Sequence, residues 1–265
     1  MRIRRSSVTV LVSAALLVPG IAACEPGGAK PAASQGPTAS TDAKAALLAS
    51  TLEIAKGNFS FAISSDSTRG EGVVHLPSQS ARMKMTFGAA GGSLAMDMIY
   101  IGTDGWAKLE GDGLEAVPGL GLLATGKYHH IDKSKIEGLA LLDFDFEDVD
   151  PAGAAALTQA VVDVRETADD VFSGTIDLTK ATDASLVGGS IVKDLGPTAA
   201  KLPFEAKVDS QGRLTQLTVK VPAAGATAAQ ELQVTYSDYG AAPAPKAPPA
   251  NQVVEAPAEL YELLK

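Results

Sequence analysis

Disulfide cross-linking is excluded from the outset, because the 265-residue chain contains a single cysteine, Cys24. Stability must therefore come from packing. Aromatic residues are scarce at 5%, while hydrophobic residues reach 46%, so the core must be mainly aliphatic and methionine. Histidine occurs only at His75, His129 and His130, and the chain has neither a G-x-S-x-G elbow nor an H-E-x-x-H pair. These shortages point away from an enzyme, and no catalytic residue, cofactor or metal is assigned. Basic charge is also in deficit: 22 Lys and Arg against 31 Asp and Glu give a net charge of −9. An acidic chain makes a poor partner for nucleic acid and gains no electrostatic adhesion to anionic lipid. No segment beyond residue 23 reaches the roughly 18 uncharged apolar residues of a membrane-spanning helix.

The start of the chain has a different character. Arg2, Arg4 and Arg5 precede an apolar stretch from Val8 to Val18, which Pro19 and Gly20 end. A basic start, a short apolar core and small residues at the end describe an export signal over residues 1–23. Ile21-Ala22-Ala23-Cys24 resembles a bacterial lipobox, in which the cysteine is lipidated and becomes the mature N-terminus. Removal of residues 1–23 takes away three arginines and no acid, moving the net charge from −9 to −12. The expected location is the extracytoplasmic face of the cell membrane, held by acyl chains on Cys24, because one chain anchors marginally and two or more anchor stably. Residues 24–40, rich in Pro, Gly, Ala and Ser, are expected to form a flexible tether.

Beyond the tether, Ala45, Leu48, Leu52 and Ala55 recur at helical spacing, which predicts a helix from Thr41 to about Lys56, stopped by Gly57-Asn58. The period then changes to two. Phe59, Phe61 and Ile63 form one alternating set; Val74 and Leu76, alternating with Val73 and His75, a second; Met83, Met85 and Phe87 a third; Leu94, Met96, Met98 and Tyr100 a fourth; Trp106 and Lys108 alternate with Ala107 and Leu109. Turn residues at Asp66–Gly70, Pro77-Ser78, Gly88–Gly92 and Thr103–Gly105 separate these runs into an antiparallel meander. Short helices are expected over Asp132–Leu142, from Pro151, and over Thr182–Leu195. Strand character returns over Val164–Leu178, Phe204–Val208, Leu214–Val221 and Glu231–Ser237. The Pro- and Ala-rich segment 241–257 reads as extended or loosely attached, with one helical turn at Glu259–Lys265. The expectation is an α+β fold: a strongly curved antiparallel sheet whose concave face is covered by helices, built from one domain (residues 41–240) and a C-terminal tail (241–265).

Two clusters invite a metal reading and neither fits well. His129 and His130 are adjacent on an expected strand, so they point to opposite faces. In the acidic run Asp143–Asp150, counting from Asp143 puts Asp148 where a calcium loop needs Gly and Ala154 where it needs Glu. A solvated strand with Phe144 and Phe146 facing inward is the expectation. The methionine-bearing strands carry more information. Methionine is flexible and polarisable, which suits a surface that adapts to varied apolar partners, although the same face would also serve as a plain core under the first helix.

Four segments resemble the actinobacterial envelope lipoproteins of the LppX/LprAFG type: Tyr100–Leu109, Phe172–Asp177, Phe204–Leu214 with its Asp209–Gly212 turn, and Tyr236–Gly240 followed by Pro243. The resemblance implies a LolA-like half-barrel with helices over an apolar cavity, and a lipid or glycolipid carried in that cavity. Its lining is expected to include Phe59, Phe61, Met83, Met85, Phe87, Leu94, Met96, Met98, Tyr100 and Trp106. The chain departs from that family in its acidic run and in the Gly/Leu-rich stretch Gly111–Gly126, which would serve as a lip or gate. The other expectation is an envelope scaffold with a filled core, presenting its surface to a protein partner.

Overall fold

The computed structural model describes residues 40–89, 92–112, 114, 120–132, 135, 144–181 and 189–263. The export signal, Cys24 and the tether lie outside the described residues. So do nearly all of the helix expected over Asp132–Leu142 and the first part of that expected over Thr182–Leu195. Residues 37–265 form one compact unit with its own hydrophobic core, the condition for independent folding.

The meander is β1 (Asn58–Ser64), β2 (Thr68–His75), β3 (Ser80–Ala89), β4 (Gly92–Ile101), β5 (Asp104–Gly111) and β6 (Tyr128–Asp132). A second run is β7 (Val161–Ala168), β8 (Val171–Ile176), β9 (Leu202–Val208), β10 (Leu214–Val221) and β11 (Gln230–Ser237), and β12 (Val253–Glu255) follows. Among the described residues the α-helices are α1 (Ser40–Ser50), α2 (Ala154–Gln159), α3 (Gly189–Leu195) and α4 (Ala258–Leu263). Among the described residues the 12 strands join one sheet in the order β12-β6-β5-β4-β3-β2-β1-β11-β10-β9-β8-β7. Every pairing is antiparallel except β12 with β6, and the sheet stays open, with β7 and β12 as its edges.

Register aligns the apolar sets on one face. Phe61 sits opposite Gly72, Gly72 opposite Met83, Met83 opposite Met98, and Met98 opposite Ala107. The next row runs Ile63, Gly70, Met85, Met96, Leu109. On the other side of β1 the row continues through Val234, Leu217, Ala206 and Phe172. This face and the helices share one core, with Leu47 of α1, Leu157 of α2, Leu195 of α3 and Leu260 of α4 buried in it. The Lys44 ammonium on α1 donates to the Val161 carbonyl of edge strand β7 at 2.7 Å.

Several expectations are corrected. The first helix ends at Ser50 and continues only as a 3-10 turn, Ile54–Lys56, closed by Gly57 at φ 61°. Residues 68–70 are strand and not turn, because their amides join the β1–β2–β3 ladder. Val164–Leu178 is a hairpin, turned at Asp169-Asp170 with Asp170 at φ 62°. Pro151 does not open a helix: α2 starts at Ala154, where the Ala155 amide donates to the Asp150 carboxylate at 2.9 Å. The described part of the acidic run, Phe144–Asp150, is not a strand, though Phe144 is buried and stacks on Tyr100 with ring centroids 5.7 Å apart. Nor is the C-terminal segment loosely attached. Its β12 adds to β6, and the Ala242 amide donates to the Asn58 side chain at 3.0 Å.

Candidate functional site: an apolar cavity against the sheet

The period-two pattern of β1, β3 and β4 puts Phe61, Met83 and Met98 in one row and Ile63 and Met85 in the next. Between these strands β2 contributes glycine to both rows. A Cβ on Gly70 would lie 2.1 Å from the Met85 sulfur, and one on Gly72 would lie 2.5 Å from the Phe61 ring. Large side chains can therefore lie over β2, which a residue with a side chain would prevent. A cavity of about 710 Å³ opens against these rows. Its sheet wall is Phe61, Ile63, Met83, Met85, Phe87 and Met98. Its other walls come from Leu232 and Gln230 of β11, the loop residues Ala226–Ala228, Ser190 and Ile191 of α3, and Pro151.

Hydrogen bonds fix these walls. Tyr236 on β11 donates to Asp150 at 2.7 Å, and the same carboxylate holds the start of α2, so Pro151 is pinned beside the sheet. Burial, and then the Asp150 charge, push the Tyr236 phenol well above its ordinary range, so it stays protonated and donating. Thr227 donates to Asp194 of α3 at 2.8 Å, joining the β10–β11 loop to the helix. The polar part of the lining is Ser65, Asp66 and Ser67 from the β1–β2 turn and Thr68 at the start of β2, with Ser190, Thr227 and Gln230.

The structure brings Phe61, Met83, Met85, Phe87 and Met98 together on the cavity. Phe59, Met96, Tyr100 and Leu94 share that face but face packed protein. Phe59 is enclosed by Phe61, Tyr236 and Tyr239, with ring centroids at 6.3, 5.4 and 6.2 Å. Trp106 is a correction. The register puts Ala107 opposite Met98 and Trp106 opposite Ile99, so Trp106 occupies the other face, where it lies against His130 at 5.5 Å. Ile63 and Leu232 had a legible signal, being in phase with Phe61 and Tyr236. Pro151, Ile191 and the Ala226–Ala228 loop had none, because tertiary contacts alone bring them to the wall.

The neighbouring histidines do point apart. His129 is buried with Nε2 hydrogen-bonded to Thr125 Oγ1 at 2.7 Å. His130 is held between Asp104 at 2.8 Å and Glu255 at 3.1 Å. Among the described residues no group of three His, Cys, Asp or Glu has metal-holding geometry, and no helix is long and apolar enough to cross a membrane. No family model and no curated protein matches the chain.

Proposed function

We propose that this protein is an extracytoplasmic lipoprotein, anchored through Cys24, that holds a lipid in the cavity against β1–β4 and carries or presents it without catalysis. The LolA-like half-barrel of LppX/LprAFG-type lipoproteins is the fold reading that goes with it. One observation carries the proposal: a cavity of about 710 Å³ walled by Phe61, Met83, Met85, Phe87 and Met98. This volume lies within the roughly 300–1,000 Å³ of small-molecule sites. An open cavity favours a carrier over a scaffold with a filled core. The driving force is apolar burial. At about 0.8 kcal/mol per methylene, a dozen buried methylenes contribute about 10 kcal/mol, comparable with an association penalty of about 4–15 kcal/mol. Apolar burial on this scale offsets most or all of that penalty without a charged anchor in the pocket.

The test uses residues 37–265 and an uncharged pyrene-labelled alkanol. The proposal expects saturable one-to-one uptake, and native mass spectrometry should find lipid retained by gentle purification. Met98→Trp places a large ring in the cavity and should weaken alkanol binding at least tenfold, with circular dichroism unchanged. Absence of both uptake and retained lipid would overturn the reading.

A further inference from the structure

The opening of the cavity narrows the class of lipid. It presents Asp66, a carboxylate that only accepts hydrogen bonds, together with the Ser67 and Ser190 hydroxyls and the Gln230 amide. Among the described residues none of these four side chains has a hydrogen-bond partner in the protein, so their polar atoms are available to a ligand. The described lining holds no lysine, arginine or histidine. A phosphate or sulfate head is normally met by Arg, Lys or a cluster of amide donors. Here such a head would meet the Asp66 carboxylate, with Asp194 behind Thr227. A head with hydroxyl groups suits the opening, since its protons can go to Asp66 and to the Gln230 carbonyl oxygen.

Volume limits the rest of the molecule. At about 30 Å³ for each water-sized group, about 710 Å³ accommodates on the order of two dozen non-hydrogen atoms. One long hydrocarbon chain and a compact head fill that space, and a lipid with three long chains exceeds it more than twofold. We infer that the ligand is a single-chain lipid with an uncharged, hydroxyl-bearing head, its chain along Phe61, Met83 and Met98 and its head at Asp66, Ser190 and Gln230. This rests on the lipid-cavity reading above.

Three probes with the same acyl chain test it on residues 37–265: 1-palmitoyl glycerol, palmitoyl lysophosphatidic acid and tripalmitoyl glycerol. Binding is read by displacement of the pyrene alkanol at low salt and by native mass spectrometry. The inference expects one-to-one binding of palmitoyl glycerol. It also expects at least tenfold weaker binding of the lysophosphatidate, which differs only by its phosphate, and no one-to-one complex with the three-chain lipid. Asp66→Lys, in an exposed turn, should shift the selectivity ratio about tenfold toward the lysophosphatidate. Equal or tighter binding of the lysophosphatidate, a stoichiometric three-chain complex, or an unmoved ratio in Asp66→Lys would overturn the inference. If the alkanol still binds in those cases, the lipid-cavity reading stands. If neither the alkanol nor any probe binds, both fall together.

Discussion

His129 and His130 differ by one position, and the alternation of a strand sends them into opposite environments with opposite electrostatic consequences. Burial holds His129 below its ordinary range, so the fold favours its neutral form. For His130 burial also pulls downward, but the hydrogen bonds its ring N–H groups donate to Asp104 and Glu255, and the charges of those carboxylates, outweigh it and leave the group raised. The folded state therefore prefers a charged His130. Its contribution is fully present below the unfolded value near 6.5 and is lost as pH rises through the higher folded value. His129 behaves the other way, contributing above about 6.5 and losing its contribution as pH falls through its lowered folded value. Asp104 and Glu255 are more than half exposed, so the His130 effect stays within about 0.2–1 kcal/mol. The expected outcome is that His130→Gln is less stable than the parent at pH 6 by that amount, and that the gap closes as the pH is raised to 8.5. Urea unfolding at half-unit pH steps measures it. A gap that widens with pH would reverse the assignment.

At the scale of elements, β2 explains both the cavity and why part of the sheet was illegible. Thr68-Arg69-Gly70-Glu71-Gly72 has no apolar alternation, because its inward positions are glycines over which Met85 and Phe61 lie. What makes room for those side chains also removes the period-two signal from Thr68–Gly72, so that alternation marks the strand only at its end, around Val73 and Val74. Gly72→Ala separates two effects. Alanine restricts the unfolded chain and would stabilise by about 0.4–1 kcal/mol at an unstrained site. Here its Cβ would lie 2.5 Å from both the Phe61 ring and the Arg82 carbonyl oxygen, and overpacking of that kind costs about 1–3 kcal/mol. Overpacking wins, so the expected outcome is a net loss of about 1–2 kcal/mol in urea unfolding, with the slope unchanged. Phe61→Ala combined with Gly72→Ala should be less destabilising than the sum of the two, since one of the two clashes has gone. Elsewhere the alternation was a sound guide: β3, β4, β10 and β11 stand where their apolar sets recur. Trp106 shows its limit. Alternation separates Trp106 from Ala107 and does not say which is inside, because that choice is made by the register with Met98. Pro151 and α3 needed still longer-range information, and so did the division of the methionine face into packed and open parts.

At the scale of the molecule, an open sheet must protect two edges. At β7 the strand bears two register shifts and charged side chains, and α1 ties to it through Lys44. At β6 the protection comes from more than 120 residues further along the chain, where β12 pairs in parallel and α4 follows. A three-residue strand inside a Pro- and Ala-rich stretch has no periodic signature, which is why the segment reads as a tail in sequence. Its attachment is specific: the Ala256 amide donates to the His130 carbonyl at 3.0 Å, the Asp132 amide donates to the Tyr261 hydroxyl at 3.1 Å, and Leu260 is fully buried. Leu260→Ala deletes the apolar part of this attachment, and a buried Leu→Ala change costs about 2–5 kcal/mol. If the C-terminal segment opens as its own unit, little of this reaches the global transition, because β12 and α4 detach before the rest unfolds. The expected outcome is then a small shift in global urea unfolding with amide exchange at Ala256 accelerated at least 30-fold, about 2 kcal/mol of local opening. Hydrogen exchange read by NMR separates this from the alternative. Unchanged exchange at Ala256, together with a global loss of several kcal/mol, would mean that the edge cap unfolds only with the whole sheet.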